Sequence, residues 1–152
     1  MTQPIRKTIE VPCGPGTAFD IFTLHTSDWW PLDAHTVSAM AGHPAKSVTI
    51  EPKAGGRVFE VKADGTEESW GTVVAFDRPH RLVIAWAIMV PGDQATEVEV
   101  TFAPIARGGT RVDLVHRGWE ALARDAEAER DSYAKGWVRV FEERYAAACA
   151  RA

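Results

Sequence analysis

No stretch of this 152-residue chain is apolar for the roughly 18–20 residues that a membrane-crossing helix needs. The N-terminus, MTQPIRKTIEV, lacks the apolar middle of a secretory signal. Lysine and arginine are scattered, form no run, and are outnumbered 17 to 21 by acidic residues, for a net charge of −4. That balance argues against a nucleic-acid or anionic-membrane surface. Cysteine occurs twice, at Cys13 and Cys149 near opposite ends of the chain, and reads as two free thiols. These absences predict a cytoplasmic protein with neither a nucleic acid nor a membrane as partner.

Catalytic and cofactor signatures are missing as well. The glycine pairs at 55–56 and 108–109 and the GPG at 14–16 lack the Lys-Ser/Thr of a phosphate loop and the spacing of a dinucleotide fingerprint. There is no HExxH, no cysteine pair at metal-ligand spacing and no GxSxG. His25, Asp28, Asp33, His35 and His43 fall within one irregular segment and read as polar loop residues around a helix end. No metal and no cofactor are expected.

What the chain has in excess is tryptophan: six, where about two would be ordinary at average usage. Two are adjacent, in SDWWPLDAH (27–35), and the others are Trp70, Trp86, Trp119 and Trp137. They form no local cluster, so only the tertiary structure can account for them.

Periodicity supplies the elements. IRKTIEV (5–11) alternates as a strand, and Gly14-Pro15 opens a helix running to about residue 24. From residue 46 the period is two: strands at 46–52, 57–63, 68–77, 81–89, 96–104 and 110–118 are separated by turn signals, among them Asp64-Gly65 and Gly108-Gly109. From 122 to 150 there is no proline, and Tyr133, Trp137, Val140, Phe141 and Tyr145 recur at helical spacing. Tight turns imply an antiparallel meander, and the aromatic stripe marks the last helix as the cover of one sheet face. The fold class is α+β, with residues 1–152 as a single domain.

His116 shares strand parity with Val112 and Leu114, so it should look inward as a core residue, a polar anchor or a proton carrier. Arg57, Glu60 and Glu68 have mixed parity and read as a solvated outer face. Arg111, Asp113 and Arg117 should form cross-strand ion pairs with Glu97 and Glu99.

Several motifs, in order, carry a family resemblance: VPCGPGTAFDIFT, DWWP, IEPKAGGRVFE, DGTEESWGTVVAFDRPHRLVIAW, TEVEVTFAPIARGGTRVDLVHRGWE and KGW. The chain resembles the SRPBCC (START-like, Bet v 1-like) superfamily. Its branch is similar to the C-terminal domain of the activator of the 90-kDa heat-shock protein ATPase. The resemblance implies a helix-grip fold, a curved antiparallel sheet of about seven strands around a long C-terminal helix. It also implies a cavity between the two for a small apolar or amphipathic molecule. Trp29, Trp30, Met40, Phe59, Trp70, Trp86, Trp119, Tyr133, Trp137 and Phe141 would line or close that cavity, and His116 would offer a polar contact. Two alternatives stay open: a chaperone co-factor acting through its surface, and a cyclase- or hydrolase-like enzyme using His116, the one weak catalytic candidate. A monomer or a homodimer is compatible with either.

Overall fold

The computed structural model describes residues 2–152. The first strand, β1 (Ile5–Val11), leads through Gly14, extended at the N-cap, into α1 (Pro15–Leu24), whose first position is the proline that the sequence places there. The segment read as irregular contains two single-turn helices, α2 (Thr26–Trp29) and α3 (Val37–Met40). Thr36 caps the second by accepting from the Ala39 N–H at 3.0 Å. Six strands follow: β2 (Ser47–Ile50), β3 (Arg57–Val61), β4 (Glu67–Asp77), β5 (Arg81–Trp86), β6 (Thr96–Pro104) and β7 (Thr110–Arg117). β5 stops at Trp86, three residues before the end expected from its apolar run.

The seven strands form one antiparallel sheet in the order β1-β7-β6-β5-β4-β3-β2, so the chain's first strand closes against its last. Register shifts leave Trp70 unpaired in β4 against β3, and Val74 unpaired against β5. Each such bulge bends and twists its strand. Between them sits Gly71, at φ +149°, where an added Cβ would land on the Ala85 carbonyl. Curling at these points folds the sheet around its cover.

That cover is a helical rod of three consecutive parts: α4 (Ala126–Trp137), a π-helical stretch (Val138–Tyr145) and α5 (Ala146–Ala150). Asp125 caps it, accepting from the Ala128 N–H at 3.3 Å. Trp137, Phe141, Tyr145 and Cys149 are all buried. A spacing of four drifts forward around a 3.6-residue turn; the wider π turn drifts back and keeps the four on one face. At the C-terminal end the rod is sealed down: Tyr145 donates to the Ala18 carbonyl at 2.7 Å, and Phe141 stacks on the Tyr145 ring at 5.7 Å. Cys13 and Cys149 are free thiols, and burial pushes that of Cys149 up to about 12.

On the outer face, Arg117 meets Glu97 at 2.6 Å and Glu99 at 2.8 Å, as parity requires. Arg111 instead pairs along its own strand with Asp113, at 3.0 Å. One reading is overturned outright. Glu60 does not face solvent; it is 0% exposed and points inward with Val58. No helix among the described residues is long and apolar enough to cross a membrane.

Candidate binding site

The tryptophans scattered along the sequence come together in the structure. Trp29 and Trp30 enter from the end of α2, Trp70 from β4, Trp86 from β5 and Trp137 from the closing helix, and their rings interlock. Ring centroids are 4.9 Å apart for Trp30–Trp70, 5.6 Å for Trp70–Trp86, 5.7 Å for Trp86–Trp137 and 5.8 Å for Trp29–Trp30. Tilted and edge-on packing of this kind stabilises beyond the area buried. Pro31 ends the short helix after the pair, which turns Trp30 across the sheet while Trp29 stays under α1 against Phe22 and Tyr145.

Every indole N–H is taken up within the protein. Trp29 donates to the Ile21 carbonyl (2.8 Å), Trp30 to that of His35 (2.9 Å) and Trp119 to that of His116 (3.1 Å). Trp70 donates to Glu60 Oε1 (2.8 Å), Trp86 to the Tyr133 hydroxyl (3.1 Å) and Trp137 to His116 Nδ1 (3.1 Å). Among the described residues no buried side-chain nitrogen or oxygen lacks a partner.

His116 is fully buried, and its protonation follows from its partners. Nδ1 accepts from Trp137, so the ring proton sits on Nε2, 2.7 Å from Thr96 Oγ1; that hydroxyl in turn donates to the Trp86 carbonyl at 3.3 Å. Both ring nitrogens are engaged, and the ring does not reach the hollow described below. Burial pushes its pKa from 6.5 down to about 3. Between those two values the unfolded chain binds a proton that the native state refuses, so stability is complete above about pH 7 and falls as pH falls, by at most ~1.4 kcal/mol per pH unit. His35, lowered by burial and by the nearby Arg139, adds a contribution of the same sign. We expect the urea midpoint to drop between pH 6.5 and 5, and the drop to be clearly shallower in His116→Gln. An equal slope in both proteins would mean that His116 is not held neutral.

Among the interlocked rings at the centre the gap measures only ≈ 10 Å³, and another of ≈ 10 Å³ lies toward the rim beside Trp119 and Glu129. A hollow of ≈ 460 Å³ opens instead beside α4, between that helix, the segment 34–40 and the end of β5. Its floor is Trp30, Trp86 and Trp137, and Tyr133 and Gly136 belong to the helical wall. The opposite wall is the segment from Ala34 to Met40, and Ile88 and Met89 close the side. Arg124 and Glu129, paired at 3.3 Å, stand at the rim. A second hollow, of ≈ 470 Å³, lies on the outer face beside β4 and β5, with no aromatic residue in its lining.

Of the residues expected at a cavity, Trp30, Met40, Trp86, Tyr133 and Trp137 meet at the first hollow. Trp29, Trp70, Trp119, His116 and Phe141 lie behind it, each at most 1% exposed. Phe59 stands on the other side of the sheet, under the Arg57 guanidinium at 4.2 Å.

Sequence reasoning missed Glu60. Its Oε1 accepts from the Val37 N–H (2.6 Å) and from Trp70, and its Oε2 accepts from the Ser38 N–H (3.0 Å). It therefore ties the wall segment to the sheet. A glutamate at the parity of Val58 is the signal that would have found it.

The sequence model of one family, described as Activator of Hsp90 ATPase homolog 1-like protein, matches residues 15–147. No curated protein matches the chain. Among solved structures, an anthrahydroquino-gamma-pyrone synthase complexed with SUM is 29% identical; the match covers 97% of this chain and 95% of that one, with a TM-score of 0.61. A self-sacrificing resistance protein, CalC from Micromonospora echinospora, is 25% identical over 96% and 93% of the two chains, with a TM-score of 0.72. An HSP90 activator from Plasmodium falciparum shares the fold at 21% identity, over 91% and 90%, with a TM-score of 0.55.

Proposed function

The chain belongs to the Activator of Hsp90 ATPase homolog 1-like family, and from that membership we propose that it binds a small apolar or amphipathic molecule, with residues 1–152 acting as one domain. The observation that carries this reading is the ≈ 460 Å³ hollow walled by three indoles and a tyrosine. Its size falls within the range of about 300–1,000 Å³ usual for small-molecule sites, and its mixture of apolar wall and polar rim is the usual one. Trp30, Met40, Trp86, Tyr133 and Trp137 touch the ligand. Trp29, Trp70, Trp119, His116 and Phe141 hold those rings in place from behind, which keeps the site preformed. A 29%-identical relative being a synthase supports a site able to admit an organic molecule.

Gly136 provides the test. It lies in the helical wall, and a Cβ there would meet the His35 ring at an ordinary 3.6 Å. Gly136→Leu should leave the fold intact, since leucine is the better helix former by about 0.8 kcal/mol, while its side chain fills the hollow. In a thermal-shift titration with 1-anilinonaphthalene-8-sulfonate, the native protein should melt several degrees higher at saturating probe. Gly136→Leu should show almost no shift. Equal shifts in the two proteins would remove the hollow as the binding site.

A second reading, co-factor of a chaperone ATPase, is supported by the family description and by two exposed methionines on the rim, Met40 at 72% and Met89 at 59%. Stimulation of the chaperone's ATPase that Gly136→Leu leaves intact and Met40→Asp abolishes would favour it. An acid–base role for His116 finds no support in its surroundings, because both nitrogens are committed.

A further inference from the structure

The walls of the hollow restrict what it can hold. The three indoles that line it spend their N–H groups on His35, Tyr133 and His116. They offer a guest ring faces and edges, and no donors. Trp86 and Trp137 are inclined at 55°, Trp30 and Trp137 at 86°, and Trp86 and Tyr133 at 83°, so faces and edges both border the space. Aromatic guests gain from such borders, and aliphatic ones gain only area.

Depth points the same way. Behind the floor, the gap bordered by Phe22, Trp30, Trp70 and Trp137 measures only ≈ 10 Å³, room for one water at most and too little for a chain to run on toward the core. A long acyl chain needs a channel; a short, flat molecule does not. At the rim the charge of Arg124 is already partly compensated by Glu129, 3.3 Å from its Nε, which weakens its pull on an anionic headgroup.

The lining also carries the His35 ring and the exposed Ser132 hydroxyl, but the Tyr133 hydroxyl is the side-chain group bonded to the indole floor. The Tyr133 hydroxyl accepts from Trp86, and among the described residues no acceptor takes its own proton. Burial raises its pKa, so the proton stays on. We propose that the hollow takes a planar, fused-ring aromatic molecule bearing a carbonyl or hydroxyl oxygen on its edge, lying against Trp30, Trp86 and Trp137 and accepting a hydrogen bond from Tyr133. This rests on the binding reading above and narrows it to one ligand class.

Matched probes test it on the full chain, by quenching of tryptophan emission. 9-Fluorenone and fluorene share a flat tricycle and differ in one carbonyl; dodecanoate is the aliphatic counterpart. Fluorenone should bind about fivefold tighter than fluorene, the worth of one hydrogen bond. Tyr133→Phe should bring that ratio to about one. Dodecanoate in excess should not displace fluorenone. Displacement, or a ratio that survives in Tyr133→Phe, overturns the inference. The dodecanoate competition needs only the native protein, so a poorly folding variant does not block the test. If 1-anilinonaphthalene-8-sulfonate binds in a Gly136-dependent way and neither tricycle does, the ligand class falls and the binding reading stands. If no probe binds, both fall.

Discussion

Glu60→Ala is expected to lower stability by roughly 3–5 kcal/mol, a fall in melting temperature on the order of 10 °C for a chain of this size. Three donors converge on that carboxyl group: the backbone N–H groups of Val37 and Ser38, and the Trp70 indole. Glu60 and Trp70 have no solvent exposure, Ser38 is buried and Val37 half-buried. Truncation orphans them together, and each buried unpaired donor costs about 1–3 kcal/mol, partly recovered by water entering the vacancy. Glu60→Gln separates hydrogen bonding from shape. Its amide oxygen can keep Val37 and Trp70, but its NH₂ then faces the Ser38 N–H, donor against donor. The expected loss is about half that of alanine. Because Val37 and Met40 belong to the wall of the hollow, both variants should also weaken probe binding and speed amide exchange at Val37 and Ser38. Equilibrium urea unfolding gives the energies and exchange the location. A Glu60→Ala protein within 1 kcal/mol of the native one would show that the carboxyl group is not the tie drawn here.

The same residue shows where sequence reading ran out. In RVFEV the alternation offers two faces, Arg57-Phe59-Val61 and Val58-Glu60, and an apolar preference puts Phe59 inside. The protein does the reverse: a guanidinium covers Phe59 outside, and three N–H groups make the interior acceptable to Glu60. Those partners come from segments 10 to 23 residues away, which no local pattern contains. Strand β7 was legible because nothing interrupts it; Val112, Leu114 and His116 are all buried, as parity requires. In β4, where bulges fall at Trp70 and Val74, parity fails: Trp70 and Val73, three apart, are both buried. Turns were legible from their chemistry; Gly65 and Gly108 do adopt positive φ. The place of the hollow was not, because its walls come from segments far apart in the chain, 30–40, 86–89 and 124–140, which no local pattern brings together.

Gly71→Ala is expected to have the largest effect of any single methyl group in the chain. Gly71 pairs with Val58 on one side and Trp86 on the other, beside the bulged Trp70. An added Cβ would occupy the place of the Ala85 carbonyl oxygen, and would stand 3.0 Å from its carbon and 3.3 Å from Trp86 Cα. These are backbone atoms with no rotamer to escape into, so β4 and β5 must part. Parting them breaks ladder hydrogen bonds and pulls Trp86 from Trp70. We expect a loss above about 4 kcal/mol, in the range reserved for disrupted cores. Gly65→Ala is the control, since Gly65 also has a positive φ, +88°, but nothing within 4 Å of the new methyl. It should cost only the ~1 kcal/mol of a left-handed residue. Guanidinium unfolding of the two variants isolates the steric contribution, and near-equal midpoints would contradict it. Since Trp86 belongs to both the strand pair and the floor of the hollow, any folded Gly71→Ala protein should also lose the 1-anilinonaphthalene-8-sulfonate shift that Gly65→Ala retains.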